Sequence, residues 1–237
     1  MMKTVTFFII FSLPVIALAD DKFSGPYGGM QLGYIHAKDE GKEYYDDGTP
    51  TYWDQKSSMH GGSLGVSAGF NKVFSNNFLL GVESDFEGRN VNGSTFQKDE
   101  TGVTTEYQIK TKISQAFSLR GRVGFLINET TLAYLTGGYA LGKAKRKITY
   151  IDTDDDDGED GEFGYGTSES KSSWQPGWTA GLGVEKYFLE RFSARLEYRY
   201  TDLGKENFST GSVEDLIYTE KQKLTEDSFR FSLLYHF

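Results

Sequence analysis

The last eleven residues, Asp227-Ser228-Phe229-Arg230-Phe231-Ser232-Leu233-Leu234-Tyr235-His236-Phe237, put the tightest limit on the fold. Phe229, Phe231, Leu233, Tyr235 and Phe237 are large and apolar, and the residues between them are polar apart from Leu234. A period of two is the signature of a β-strand with one apolar and one polar face. Such a strand must pair with earlier segments or leave a long hydrophobic edge open to aggregation, and closing the sheet into a barrel removes that edge.

The same alternation recurs along the chain. Met30, Leu32 and Tyr34 follow Tyr27, with Gly29, Gln31 and Gly33 between them; Leu64, Val66, Ala68 and Phe70 alternate with Ser63, Gly65, Ser67 and Gly69. Phe78, Leu80, Val82 and Phe86 oppose Gly81, Glu83 and Asp85, and Ile113, Phe117, Leu119, Val123 and Phe125 oppose Ser118, Arg120, Arg122 and Gly124. Leu135, Tyr139 and Leu141 form a fifth set, with Leu132 and Tyr134 out of phase; Trp178, Ala180, Leu182 and Val184 a sixth; Phe192, Ala194, Leu196, Tyr198 and Tyr200 a seventh. Turn signals near Asn76, Asn128 and Glu190 are short, whereas 37–60, 88–107, 143–173 and 201–226 read as long polar loops. The expectation is an all-β, eight-stranded antiparallel transmembrane meander barrel, with long extracellular loops and short periplasmic turns.

Met1-Met2-Lys3, an apolar run to Leu18 and Ala17-Leu18-Ala19 read as a signal peptide cut after Ala19, leaving 20–237 as the barrel. That address is the outer membrane, with both mature termini periplasmic. The chain of 237 residues carries a net charge of −9, which gives no basic surplus for a nucleic-acid partner. It has no cysteine, so disulfide and thiol chemistry are excluded.

Alternation alone does not say which face is wet, since a soluble barrel alternates with its apolar face inward. The polar face here carries Arg120, Arg122, Arg195, Arg199 and Arg230 with Glu83, Asp85, Glu185 and Glu197, among many Gly and Ser residues. Aromatics gather near strand ends, at Tyr27, Tyr34, Phe78, Phe125, Trp178, Phe192, Tyr200, Tyr235 and Phe237, as two interfacial girdles require. The charged set is therefore read as a luminal network, with the apolar face toward lipid.

Several segments resemble the outer-membrane β-barrel family of Gram-negative surface antigens, which includes opacity proteins and haemin-binding surface proteins. They are Arg195-Leu196-Glu197-Tyr198-Arg199-Tyr200-Thr201-Asp202-Leu203-Gly204, Gly81-Val82-Glu83-Ser84-Asp85-Phe86, Ser118-Leu119-Arg120-Gly121-Arg122-Val123-Gly124, Gly181-Leu182-Gly183-Val184-Glu185 and Tyr27-Gly28-Gly29. The resemblance implies insertion by the outer-membrane assembly machinery, with Tyr235 and Phe237 as the assembly signal.

No catalytic, cofactor or metal residues are assigned. Asp152 to Glu162 holds eight acids in eleven residues, but Asp157 occupies the position where a calcium loop needs its turn glycine. His36 and His60 flank the first loop and would have to meet to ligate haem. Lys143, Lys145 and Lys147 continue the lipid-facing parity of the fifth strand and are candidates for contact with lipopolysaccharide phosphates. The functional expectation is a non-catalytic surface antigen or adhesin-like barrel contributing to envelope integrity, with host surface molecules met through the loops. The alternatives are a small-solute porin and a haem-binding surface protein.

Overall fold

The computed structural model describes residues 22–44, 50–97, 105–152, 165–213 and 216–237. The proposed signal peptide and the acidic run beyond Asp152 lie outside them. Eight strands follow in chain order: β1 (Gly25–Tyr44), β2 (Pro50–Val73), β3 (Phe78–Gln97), β4 (Thr105–Asn128), β5 (Thr131–Asp152), β6 (Tyr165–Tyr187), β7 (Phe192–Val213) and β8 (Leu216–His236). Each pairs antiparallel with the next, and β8 pairs back onto β1 to close the barrel. The closing register sets Tyr27 against His236 and Tyr34 against Phe229, and Phe237 N–H donates to Pro26 O at 3.1 Å. The terminal strand thus has partners on both sides.

Two of the three tight turns form where the sequence carries Asn. Asn77 adopts φ 63°, a left-handed conformation that Asn tolerates, and its N–H donates to Phe74 O at 3.0 Å. In the next hairpin Asn128 Oδ1 accepts from Thr130 N–H at 3.0 Å. Both ends of the barrel chain sit at this same rim.

The apolar parity faces outward. Met30, Leu64, Leu135, Leu196 and Phe229 are all more than half exposed, the last at 67%. On β8 the outward run from Phe229 to Phe237 rises about 21 Å along the barrel axis at ~3.4 Å per residue and a tilt of about 40°, close to the apolar band of an outer-membrane barrel. Rings cluster at both ends of that band. Phe192–Tyr235 (5.2 Å) and Tyr235–Phe237 (5.1 Å) lie at the turn rim, and Trp178–Tyr200 (5.4 Å) and Tyr198–Phe229 (5.3 Å) at the other.

Three expectations are corrected. First, the segments read as long loops are largely continued strand. Each strand has 20 to 24 residues, about twice the 9–11 needed to cross a bilayer, so the barrel extends well beyond the apolar band. The cue was lost because above the band the pattern inverts. Ile35, Ala37, Met59, Val91, Ile113 and Leu224 turn inward, while Lys38, Glu40, Asn90, Asn92 and Lys112 face out. Second, Ile113 does not share a face with Phe117 and Leu119; a bulge between Ile113 and Gln115 flips the phase and buries it. Third, Tyr27 is not a girdle residue. It stands on the inward parity of β1 with Gln31, and it is 1% exposed.

The β6–β7 pairing runs from Tyr187↔Ser193 to Trp178↔Asp202. Pro176, which has no N–H to donate, and Gly204 at φ +74° stand just beyond its upper limit.

Candidate functional site in the barrel lumen

The inward parity of β3, β4, β6, β7 and β8 carries the nine charged residues named from the sequence, and all nine are buried. Arg120 sits at the centre. Its Nη1 donates to Glu197 Oε1 and its Nη2 to Asp85 Oδ2, both at 2.9 Å, and Nη2 also contacts Glu83. Arg195 bridges Glu83 (2.5 Å) and Glu185 (3.1 Å), and Arg122 donates to Glu185 at 2.5 Å. Arg199 holds Glu197 at 2.7 Å and Asp85 at 3.2 Å.

Three further members join the nine. Glu87 takes both arms of a fork from Arg230, Nε at 2.7 Å and Nη2 at 3.1 Å. Arg89 links Glu87 (2.8 Å) to Glu226 (2.7 Å). Arg89 and Glu226 lie in polar segments that read as loops; the sequence signal for Glu87 and Arg89 is the continuing parity Glu83, Asp85, Glu87, Arg89. Among the described residues the network then holds six arginines against six carboxylates. Balance matters because an unpaired buried charge is far costlier than a paired one.

Neutral groups complete the carboxylates. Tyr27 O–H donates to Glu83 at 2.7 Å, Tyr134 O–H to Glu197 at 2.7 Å, Gln31 to Glu87 at 2.8 Å and Ser118 to Asp85 at 2.6 Å. The Arg122 guanidinium lies 3.8 Å from the centre of the Tyr134 ring. Two glycines make room for these rings: a Cβ on Gly69 would stand 2.4 Å from the Tyr27 hydroxyl, and one on Gly183 2.4 Å from that of Tyr134.

The charged layer is enclosed. Toward the turn rim Phe23, Val73, Leu79, Leu126, Leu132 and Tyr187 pack across the lumen. Toward the other rim Ile35, Met59, Val91, Ile113, Leu203 and Leu224 do the same. Beyond them Arg146 Nη2 meets Asp39 Oδ1 at 3.1 Å. A void lined by Asp85, Arg89, Ser118, Thr179, Arg199 and Thr201 has about 10 Å³ of room, enough for roughly one water.

A Ser–His–acid grouping absent from any sequence spacing also forms near the turn rim. Ser193 Oγ lies 3.1 Å and Glu185 Oε1 3.0 Å from His236. Both contacts fall on the same ring nitrogen, Nε2, so the acid does not orient the ring from its far side as a nucleophilic triad requires. All three side chains are buried, and Glu185 is committed to Arg122 and Arg195.

On the outer wall Lys143, Lys145 and Lys147 keep the lipid-facing parity, and Arg146 turns inward. Lys145 pairs directly across from Lys112, and Lys147 from Lys110. His36 and His60 do meet, as register partners on β1 and β2, with their Nδ1 atoms 2.9 Å apart. Two nitrogens trans on one haem iron stand about 4 Å apart, twice a metal–nitrogen bond, so this pair is not a bis-histidine haem clamp.

Residues 4–237 match the outer membrane protein beta-barrel domain family. The chain belongs to that family. Among its relatives is the 31 kDa outer-membrane immunogenic protein of Brucella melitensis, 30% identical over 206 residues that span 83% of this chain and 78% of the relative. The 25 kDa outer-membrane immunogenic protein of the same organism is 27% identical over 94% of this chain and 84% of its own length. Among solved structures, OprG from Pseudomonas aeruginosa has the same fold, at a TM-score of 0.55 and 14% identity, covering 92% of this chain and 99% of that one. The protein is accordingly an outer-membrane β-barrel of the surface-antigen kind.

Proposed function

We propose that this barrel is a non-catalytic surface protein that contributes to envelope integrity and presents its outer strand ends to the exterior, as an antigen or adhesin-like molecule. The turn rim, with both ends of the barrel chain, faces the periplasm. The observation that carries this reading is the filled lumen. A charge-balanced layer bridged wall to wall lies between two apolar layers, which among the described residues leaves no continuous polar path for a solute. The immunogenic relatives support the surface role.

The porin alternative is tested by single-channel recording of the refolded barrel in planar bilayers. The expected trace is flat, and regular conductance steps would replace this reading with the porin one.

The outer leaflet is the proposed lipid partner. Like charges directly opposed across two strands destabilise a sheet unless an anion lies between them. Lys110, Lys112, Lys145 and Lys147 form two such pairs on the outward face, placed to share lipopolysaccharide phosphates.

A further inference from the structure

We propose that His36 and His60 form an open, outward-facing site for a divalent transition metal that prefers tetragonal geometry, copper(II) first and nickel(II) second. The two residues are direct register partners on β1 and β2, and both side chains lie on the outer wall. They sit two residues beyond Tyr34 on its own face, at the edge of the aromatic girdle, where the wall meets headgroups and water. The rings are 4.6 Å apart with planes inclined at 33°, and Tyr34 stacks over His60 at 6.5 Å.

The spacing, that of a hydrogen bond between the rings, brings both nitrogens within reach of one ion, and two imidazoles completed by oxygen ligands suit copper(II) and nickel(II). Without metal, one ring donates its Nδ1–H to the other; with metal, both Nδ1 lone pairs turn to the ion and each ring keeps its proton on Nε2. The neighbouring positions in register are Asp227 beside His36, which accepts from the Tyr198 hydroxyl at 2.5 Å, and Asn92 beside His60.

Among the described residues no third His, Cys, Asp or Glu joins the pair. The other equatorial positions are therefore left to water or another exchangeable oxygen ligand, and the ion is held reversibly. The chain makes the attribution clean, because its only other histidine, His236, is buried against Glu185 and it has no cysteine.

The test is titration of the untagged, folded barrel in detergent with copper(II) chloride, followed by calorimetry and electron paramagnetic resonance. The expected result is one copper per barrel beyond the background of a His36→Asn/His60→Asn double variant, with two equatorial nitrogens in the spectrum. His60→Asn alone should weaken binding at least ten-fold, and nickel(II) should bind more weakly than copper(II). Both side chains are on the outer wall, so the variants should keep the heat-modifiable mobility of the folded parent, and that gel is the folding control. Equal copper binding in the parent and the folded double variant, or a parent spectrum with a single nitrogen, overturns the proposal.

Discussion

Glu83 and Arg195 stand on β3 and β7, diametrically opposed in an eight-stranded barrel, and meet at 2.5 Å. One glutamate and one arginine thus span the lumen, tying the two walls together between the apolar layers.

The Glu83→Gln variant removes a charge that Arg120 and Arg195 both use. The expected loss is about 3–5 kcal/mol, the usual penalty for leaving a buried charge uncompensated. A urea series on the folded barrel, read by tryptophan fluorescence, checks this. An unchanged midpoint would mean that water reaches the layer and screens it.

Gly183 and Tyr134 should behave as a coupled pair. Gly183→Ala places a methyl group 2.4 Å from the Tyr134 hydroxyl and should cost about 1–3 kcal/mol by overpacking. Tyr134→Leu alone loses the bond to Glu197, but combined with Gly183→Ala it relieves the clash. The double variant should therefore be more stable than the sum of the single losses. Strict additivity in the same urea assay would show that the ring moves away freely.

Deleting Phe237 should lower the folded, heat-modifiable form in outer membranes. Its N–H closes onto Pro26 and its ring packs edge-on against Tyr235, so the loss falls on the β1–β8 seam. Cell fractionation and gels with unheated samples measure it. A normal folded yield would remove Tyr235 and Phe237 from the assembly role.

Changing Lys110, Lys112, Lys145 and Lys147 to Gln should reduce co-purifying lipopolysaccharide, most at low salt, because screening already weakens the parent contact at high salt. The same variant should be at least as stable in detergent, since two like-charge pairs are relieved. Unchanged lipid per barrel at low salt would rule the contact out.

By itself the sequence determined the barrel. Period-two alternation in eight segments, Asn-rich turns and a terminal aromatic strand are local properties. A strand's two faces are set by residue parity, whatever lies across the sheet. The same parity was enough to name nine of the luminal charges. What only the tertiary structure decided is where each strand ends, how the charges pair and which residues meet around the barrel. Arg230 is the register partner of Glu197 on β7, yet its guanidinium crosses the lumen to Glu87 on β3. Glu87 was within reach of the parity that names Glu83 and Asp85, but Arg89 and Glu226 depend on strands that run past the bilayer, where the solvent outside changes from lipid to water and the apolar face turns inward. The bulge at Ile113 and the meeting of His36 with His60 depend on register, which follows from closure of the whole barrel and not from any one segment.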